Sequence, residues 1–179
     1  MVGILYINKN SYYTNIPKRI FDEMLIMSQE VKIVDRNNVL LPVHILKAMA
    51  KIAHIAREHP DINQERGVSV RMGIHSLELL IGEAERTRSI KNKVTVIPRF
   101  CDFHSIYQAS KFELLDVEDT YENRFNVLNL IIADAIKQIS SEYIHKISIT
   151  DISKIRNEFT KNKTFEVSQS IIGHKKINS

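Results

Sequence analysis

Apolar residues recur at steps of three and four positions through most of the chain, and this periodicity limits the fold more than any other feature of the sequence. Six segments show the pattern, and polar turns separate them. Three of the segments begin directly after Pro17, Pro42 and Pro98, and proline is well tolerated at a helix start because no helical hydrogen bond needs its missing N–H group. The sequence therefore predicts a mainly α-helical bundle of about six helices with minor short β-strands.

Each predicted helix has one apolar face, and we expect these faces to form a common core. In chain order, the faces are Ile20, Met24, Met27 and Val31; Ile45, Met49, Ile52 and Ala56; Val70, Ile74, Leu77, Ile81 and Ala84; Phe100, Phe103 and either Ile106 or Tyr107; Phe125, Leu128, Ile132, Ala135 and Ile139; and Ile152, Ile155 and Phe159. The cations Lys47, Lys51, Arg57 and Arg71 fall outside these faces and are expected in solvent, as is the charged stretch 83–88.

Residues outside the helices are expected to add only short strands, at 2–9, 91–96, 111–117 and 164–169. The first of these has no evident partner strand in the chain, and a lone strand leaves its backbone groups unpaired along both edges. We therefore expect residues 1–15 to be the remnant of a core domain, residues 16–172 to form the helical domain, and residues 173–179 to be a flexible tail.

Composition is typical of a globular protein and excludes several other classes. Of the 179 residues, 44% are hydrophobic and 26% are charged, as in an ordinary folded domain. The single cysteine, Cys101, excludes an internal disulfide, and no apolar run is long enough for a membrane span, so we expect a cytoplasmic protein that does not enter membranes. The net charge of +4 and the pI of about 9.1 permit an acidic partner, although the basic residues are scattered rather than clustered.

The usual motifs of nucleotide hydrolysis, metal binding and nucleophilic catalysis are missing from the sequence. Neither GxxxxGK[ST] nor GxGxxG occurs, so ATP hydrolysis by the chain alone is not expected. His54 and His59 flank a loop but lack the spacing of a zinc site. Cys101 and His104 lie three positions apart, where a helix seldom aligns sulfur with imidazole, and we expect a buried thiol beside a surface histidine. No catalytic residue and no metal-binding residue is therefore predicted.

Arg71 has an unusual position in its predicted helix. It falls in the first turn of the third helix, shortly after Ser69, a residue type that caps helix starts. The helix dipole disfavours a cation at this end. A first-turn arginine either projects into solvent or accompanies an anion held beside the helix start, where backbone N–H groups point outward.

The stretch around Arg71, DINQERGVSVRMGIHSLELLIGEAERTRS, resembles the C-terminal half of AAA+ ATPases related to the magnesium-chelatase ATPase subunit and the MoxR group, in which an R-SGVS-R stretch opens a lid helix. Other segments follow the order of that family. NIPKRIFDEMLIMSQEV is similar to the segment that enters the lid, VIPRFCDF to the family's VPRISDL, KFELLDV to its GKIELE, and IRNEFTKNKTFEVSQS to its closing helix and strand. The resemblance covers nearly the whole chain from about Asn15.

This resemblance implies that residues 16–172 are a lid-like domain and that Arg71 corresponds to the sensor-2 arginine, which reaches from the lid to the terminal phosphate of the nucleotide. The family's phosphate-binding loop, its metal-holding acidic strand and its arginine finger belong to a preceding core domain, and none of these three motifs occurs in this sequence. Gly73 stands where the family has serine or alanine, a change that weakens a helix by up to about 1 kcal/mol. Ser110 replaces the glycine of GKIELE.

We therefore expect a lid-like module that lacks ATPase activity alone and binds no cofactor by itself. It would meet ATP and Mg²⁺ only when assembled with an AAA+ core-bearing partner or as a homo-oligomer. The alternative is an independent basic helical module that binds nucleic acid or protein. A small enzyme that uses Cys101 or a histidine site is the least supported hypothesis.

Overall fold

The computed structural model of the chain describes residues 16–32, 39–65, 68–89, 96–109, 111–115, 118–144 and 147–160. Its helices are α1, Lys18–Glu30; α2, Val43–Glu58; α3, Val70–Ala84; a 3-10 helix, Phe100–Ala109; α4, Tyr121–Ile144; and α5, Ile149–Thr160. A π-helical stretch, Glu85–Ser89, continues α3. The predicted bundle of about six helices is confirmed. None of the described helices has the length and apolar character that a membrane crossing requires.

Proline and a left-handed residue set the two ends of α1. The carbonyl oxygen of Pro17 accepts hydrogen bonds from the backbone N–H groups of Ile20 and Phe21, at 2.9 and 3.1 Å, so the helix begins directly after the proline as predicted. At the other end, Lys32 has a φ of 49° and its N–H group donates to the carbonyl oxygen of Gln29. A residue in the left-handed region closes many helices in this way, although a side chain other than glycine adds about 1 kcal/mol of strain there.

Helix α2 is the element shared by the rest of the bundle, because it packs against α1, α3 and α4. Its predicted inward residues are all buried, and so are several small residues that let the neighbouring helices approach closely: Ala48, Ala50 and Ala53. Helix α3 packs in turn against α1, α2 and the 3-10 helix. Helix α3, which carries Arg71 in its first turn, is therefore held by three different elements.

Most of the predicted apolar faces are buried. The confirmed residues are the four predicted in α1, the four predicted in α2, and Leu77, Ile81, Ala84, Phe103, Ile106, Leu128, Ile132, Ala135 and Ile139. The prediction is wrong for Val70, Phe125 and Ile152, whose exposed fractions are 39%, 38% and 42%. It also fails for Ile74 and Phe100, which are only half-buried.

These corrections have physical reasons. Because α3 has three neighbours, its buried face is wider than the predicted one and is shifted around the helix, which leaves Val70 and Ile74 at its edge. The buried residues outside the predicted pattern are Met72, Gly73, Ser76 and Leu80. Phe125 lies near the start of α4, where its ring stacks on that of Tyr107 with 4.3 Å between the ring centroids instead of entering the core. Ile152 lies on α5, a helix that leaves Ile149 83% exposed as well. The side chains of Ile155 and Phe159 lie outside the described part of the structure.

Lys47 is predicted in solvent and is instead buried between two helices. Its exposed fraction is 7%, and its ammonium group forms an ion pair with Glu142 near the end of α4. A lysine can cover apolar surface with its aliphatic stem while its charged end reaches a partner at the edge of the core. This pair therefore ties the central helix to α4.

The predicted strands reduce, within the described residues, to isolated bridges. Val39 pairs with Val96 in parallel, and the N–H group of Leu40 donates to the carbonyl oxygen of Val96 at 2.8 Å. Ile62 pairs with Leu114 in the antiparallel sense. The predictions for 2–9 and 164–169, the proposed domain remnant 1–15 and the tail 173–179 fall outside the described residues.

The burial of Leu77 gives a direct test of the packing of α3. Leu77 is 0% exposed, so Leu77→Ala should lower the free energy of unfolding by about 2–5 kcal/mol through lost apolar burial and the cavity left behind. Leu130, which is 66% exposed on α4, is the matched control, and Leu130→Ala should change stability by less than about 0.5 kcal/mol. Urea denaturation followed by circular dichroism measures both values. Equal effects of the two substitutions would show that the inward face of α3 is assigned incorrectly.

Candidate functional site

A cleft of about 680 Å³ opens between the start of α3 and the end of the 3-10 helix. This volume is within the range of about 300–1,000 Å³ that is typical of small-molecule sites. The cleft is lined by Ser69, Arg71, Met72, His75, Glu78, Leu79, Gln108, Ala109 and Lys111. Its walls therefore combine apolar side chains with a few charged and polar groups.

Arg71 lies on the wall of this cleft that α3 provides. Its side chain is exposed as predicted, and no described residue forms a hydrogen bond or an ion pair with its guanidinium group. The prediction for Ser69 is correct in position only. Ser69 stands at the N-cap position, but its hydroxyl makes no capping hydrogen bond. Only its carbonyl oxygen serves the helix start, by accepting from the N–H group of Met72 at 3.0 Å. The Ser69 side chain is therefore available to the cleft.

The remaining charged groups of the cleft divide into a pair and a single cation. His75 and Glu78, one turn apart on α3, approach each other to 3.1 Å between Nδ1 and Oε2. Lys111 follows the 3-10 helix, and its exposed ammonium group has no hydrogen-bonding or ion-pairing partner among the described residues. Arg71 and Lys111 are thus two cations on different elements that line the same cleft. A ligand with negative charge fits these walls best.

A buried carboxylate and an arginine fix the position of the chain just before α3. Glu23 of α1 is 7% exposed, and its two carboxylate oxygens accept from Arg57 of α2 at 2.8 and 2.9 Å. The Nε–H group of Arg57 also donates to the carbonyl oxygen of Val68, at 3.1 Å. Arg57, predicted in solvent, is instead half-buried and joins three segments of the fold. The last of these segments leads directly into the turn that holds Arg71.

Gly73 allows α1 to approach α3 closely at the same place. A Cβ atom at this position would lie 2.3 Å from the terminal methyl carbon of Met27 and 3.3 Å from a carboxylate oxygen of Glu23. The absence of a side chain at Gly73 therefore has a packing function. It gives Met27, which is fully buried, the space next to the helix.

The other candidate residues do not form a second site within the described part of the chain. His54 lies 3.5 Å from Glu58 and His59 lies 4.0 Å from Asp61, while no three described His, Cys, Asp or Glu residues are grouped as a metal ion would require. The prediction of a buried thiol is wrong, because Cys101 is exposed. The nearby His104 is exposed as predicted, and its Nδ1 atom pairs with the carbonyl oxygen of Cys101 at 2.8 Å.

In the charged stretch at the end of α3, Arg86 is exposed as predicted, whereas Glu83 and Glu85 are half-buried and the prediction for them is wrong. Arg86 donates to both carboxylate oxygens of Glu83, at 2.6 and 2.9 Å. These hydrogen bonds hold the pKa of Glu83 below its usual value. This pair is an i,i+3 interaction between neighbouring positions on the helix surface.

Comparison of the chain with protein-family models, with curated proteins and with solved structures finds no match.

The Glu23–Arg57 pair can be tested by removing its acidic member. Glu23→Ala leaves the half-buried guanidinium of Arg57 without its carboxylate, so the free energy of unfolding should fall by about 1–3 kcal/mol. Glu30 is an exposed glutamate at the end of the same helix, and Glu30→Ala should shift stability by less than about 0.5 kcal/mol. Thermal and urea unfolding of the two variants provide the comparison. A loss at Glu23 no larger than at Glu30 would contradict the role given to the pair.

Proposed function

We propose that the chain is a lid-like module of the AAA+ class, similar to the C-terminal half of the magnesium-chelatase ATPase subunit, and that it acts with a core-bearing partner. In this proposal the module does not hydrolyse ATP by itself. The partner holds the nucleotide and Mg²⁺, and Arg71 contacts the terminal phosphate of that nucleotide. A homo-oligomer of this chain would contain no GxxxxGK[ST] phosphate-binding loop. The proposal therefore names a core-bearing protein as the partner, rather than a second copy of this chain.

The observation that carries the proposal is the environment of Arg71. This residue stands in the first turn of α3, its side chain is exposed at a cleft, and no described residue forms a hydrogen bond or an ion pair with its guanidinium group. Guanidinium is suited to phosphate because its planar array of donors forms paired hydrogen bonds with two oxygens. The helical architecture and the order of the lid-like sequence segments agree with this proposal.

The division of work between two proteins follows from what phosphoryl transfer requires. The reaction depends on backbone N–H groups around the phosphates, on a lysine, on a metal ion and on a group that positions the attacking water. One arginine at a helix start supplies only part of the charge stabilisation in the transition state. Arg71 therefore acts on a reaction whose remaining groups come from the partner.

The test is the ATPase activity of an assembly that contains the module. The tagged full chain is captured with its partners from native lysate, the partners are identified by mass spectrometry, and ATP hydrolysis is measured for the chain alone and for the assembly. We expect no turnover by the chain alone and turnover by the assembly. Arg71→Ala should lower the turnover of the assembly by about tenfold or more, because a charge-stabilising donor is lost.

Arg19→Ala is the matched control, because Arg19 is an exposed arginine on α1 that does not line the cleft. This variant should leave the turnover of the assembly unchanged. Robust turnover by the repurified chain alone that survives Arg71→Ala would contradict the proposal. So would an assembly that contains no AAA+ core, for example one in which the captured partner is nucleic acid.

A further inference from the structure

The cleft contains a second cation that the sequence pattern around Arg71 does not indicate. Lys111 lines the cleft from the segment that follows the 3-10 helix, whereas Arg71 lines it from the first turn of α3. Both side chains are exposed, and neither has a hydrogen-bonding or ion-pairing partner among the described residues. The acidic side chain of the cleft, Glu78, already lies 3.1 Å from His75. Two available positive charges therefore border one cavity from two elements.

We infer that Lys111 is a second phosphate-contacting residue of this cleft and that the pair selects a chain of linked phosphates over a single phosphate. The inference rests on the proposed function, because it assigns a ligand class to the same site. One guanidinium forms paired hydrogen bonds with two oxygens of a single phosphate. An ammonium group on a flexible stem adds a point charge that a neighbouring phosphate can meet from a range of directions. Linked phosphates therefore gain from both cations, whereas a lone phosphate gains mainly from one.

The packing of the two elements supports a joint role for the two cations. Helix α3 packs along the 3-10 helix, so the walls of the cleft belong to one packed body. Phe112 and Leu114, which follow Lys111, are buried, and the N–H group of Leu115 donates to the carbonyl oxygen of Asp61 at 3.0 Å. The backbone that carries Lys111 is thus anchored to the body, while its side chain remains exposed.

The experiment uses the full chain and three inorganic probes: phosphate, pyrophosphate and tripolyphosphate. Each probe is titrated into the chain at low salt, and binding is measured by isothermal calorimetry and by NMR shifts of backbone amides. The unchanged chain is compared with four variants: Arg71→Ala, Lys111→Ala, Lys111→Arg and Lys137→Ala. Lys137 is an exposed lysine on α4 that does not line the cleft, and its loss changes the net charge by the same amount as the loss of Lys111. Low salt is needed because exposed charges are screened at higher ionic strength.

We expect tripolyphosphate to bind more tightly than phosphate and to shift amides at the start of α3 and near Lys111. Lys111→Ala should lower the affinity for tripolyphosphate by about two- to fivefold and reduce the preference for tripolyphosphate over phosphate, as befits one exposed charge contact. Lys111→Arg should retain both properties. Lys137→Ala should lie close to the unchanged chain.

Two results would overturn the inference. If Arg71→Ala weakens binding but Lys111→Ala behaves like Lys137→Ala, Lys111 does not contact the ligand and the proposed function stands without it. If all three alanine variants weaken binding equally, the probes respond only to net charge and the cleft does not select phosphates. The proposed function is judged separately by the effect of Arg71→Ala on the ATPase activity of the assembly.

Discussion

Burial of the side chains of α2 is the constraint on which the rest of the structure depends. This helix is in contact with α1, α3 and α4, and its buried residues occur on more than one face. A helix that is apolar over so much of its surface is stable in water only when neighbouring elements cover it. The amphipathic helices around it are therefore fixed by the need to cover α2. The few polar groups that enter this region, such as Lys47 and Arg57, do so with carboxylate partners from neighbouring helices.

The candidate site is connected to this core by one polar network and one close helix contact. The side chain of Arg57, on α2, donates to the carboxylate of Glu23 on α1 and to the carbonyl oxygen of Val68, which precedes α3. A few residues along the chain, Gly73 lets α1 and α3 approach each other at Met27. The start of α3 is thus determined by α1 and α2 together. The Arg71 side chain on this first turn is exposed, while the backbone just before it is held by these contacts.

The sequence predicted those parts of the fold that depend on periodicity along one segment. The positions of α1, α2 and α4 and most of their buried faces follow from apolar spacing, and the proline residues located two of the helix starts. Errors occur where tertiary contacts add to that pattern. The wider buried stripe of α3 depends on three neighbours, and the burial of Lys47 depends on Glu142, which lies far away in the sequence. Periodicity contains no information about such partners.

Only part of the candidate site could be predicted, because the sequence pattern carries local signals and no information about tertiary partners. Arg71 could be singled out because its position in its own helix is electrostatically unfavourable without an anion, and this signal is local. Lys111 gives no such signal, since a lysine after a helix is ordinary, and it becomes notable only when folding places it beside the same cleft as Arg71. Under the proposed function, these two cations supply positive charge to the phosphates, whereas the backbone amides and metal ligands that hold a nucleotide for reaction come from the partner. In that proposal the module senses a phosphate that the partner presents, and its contribution depends on how firmly α1 and α2 hold the start of α3.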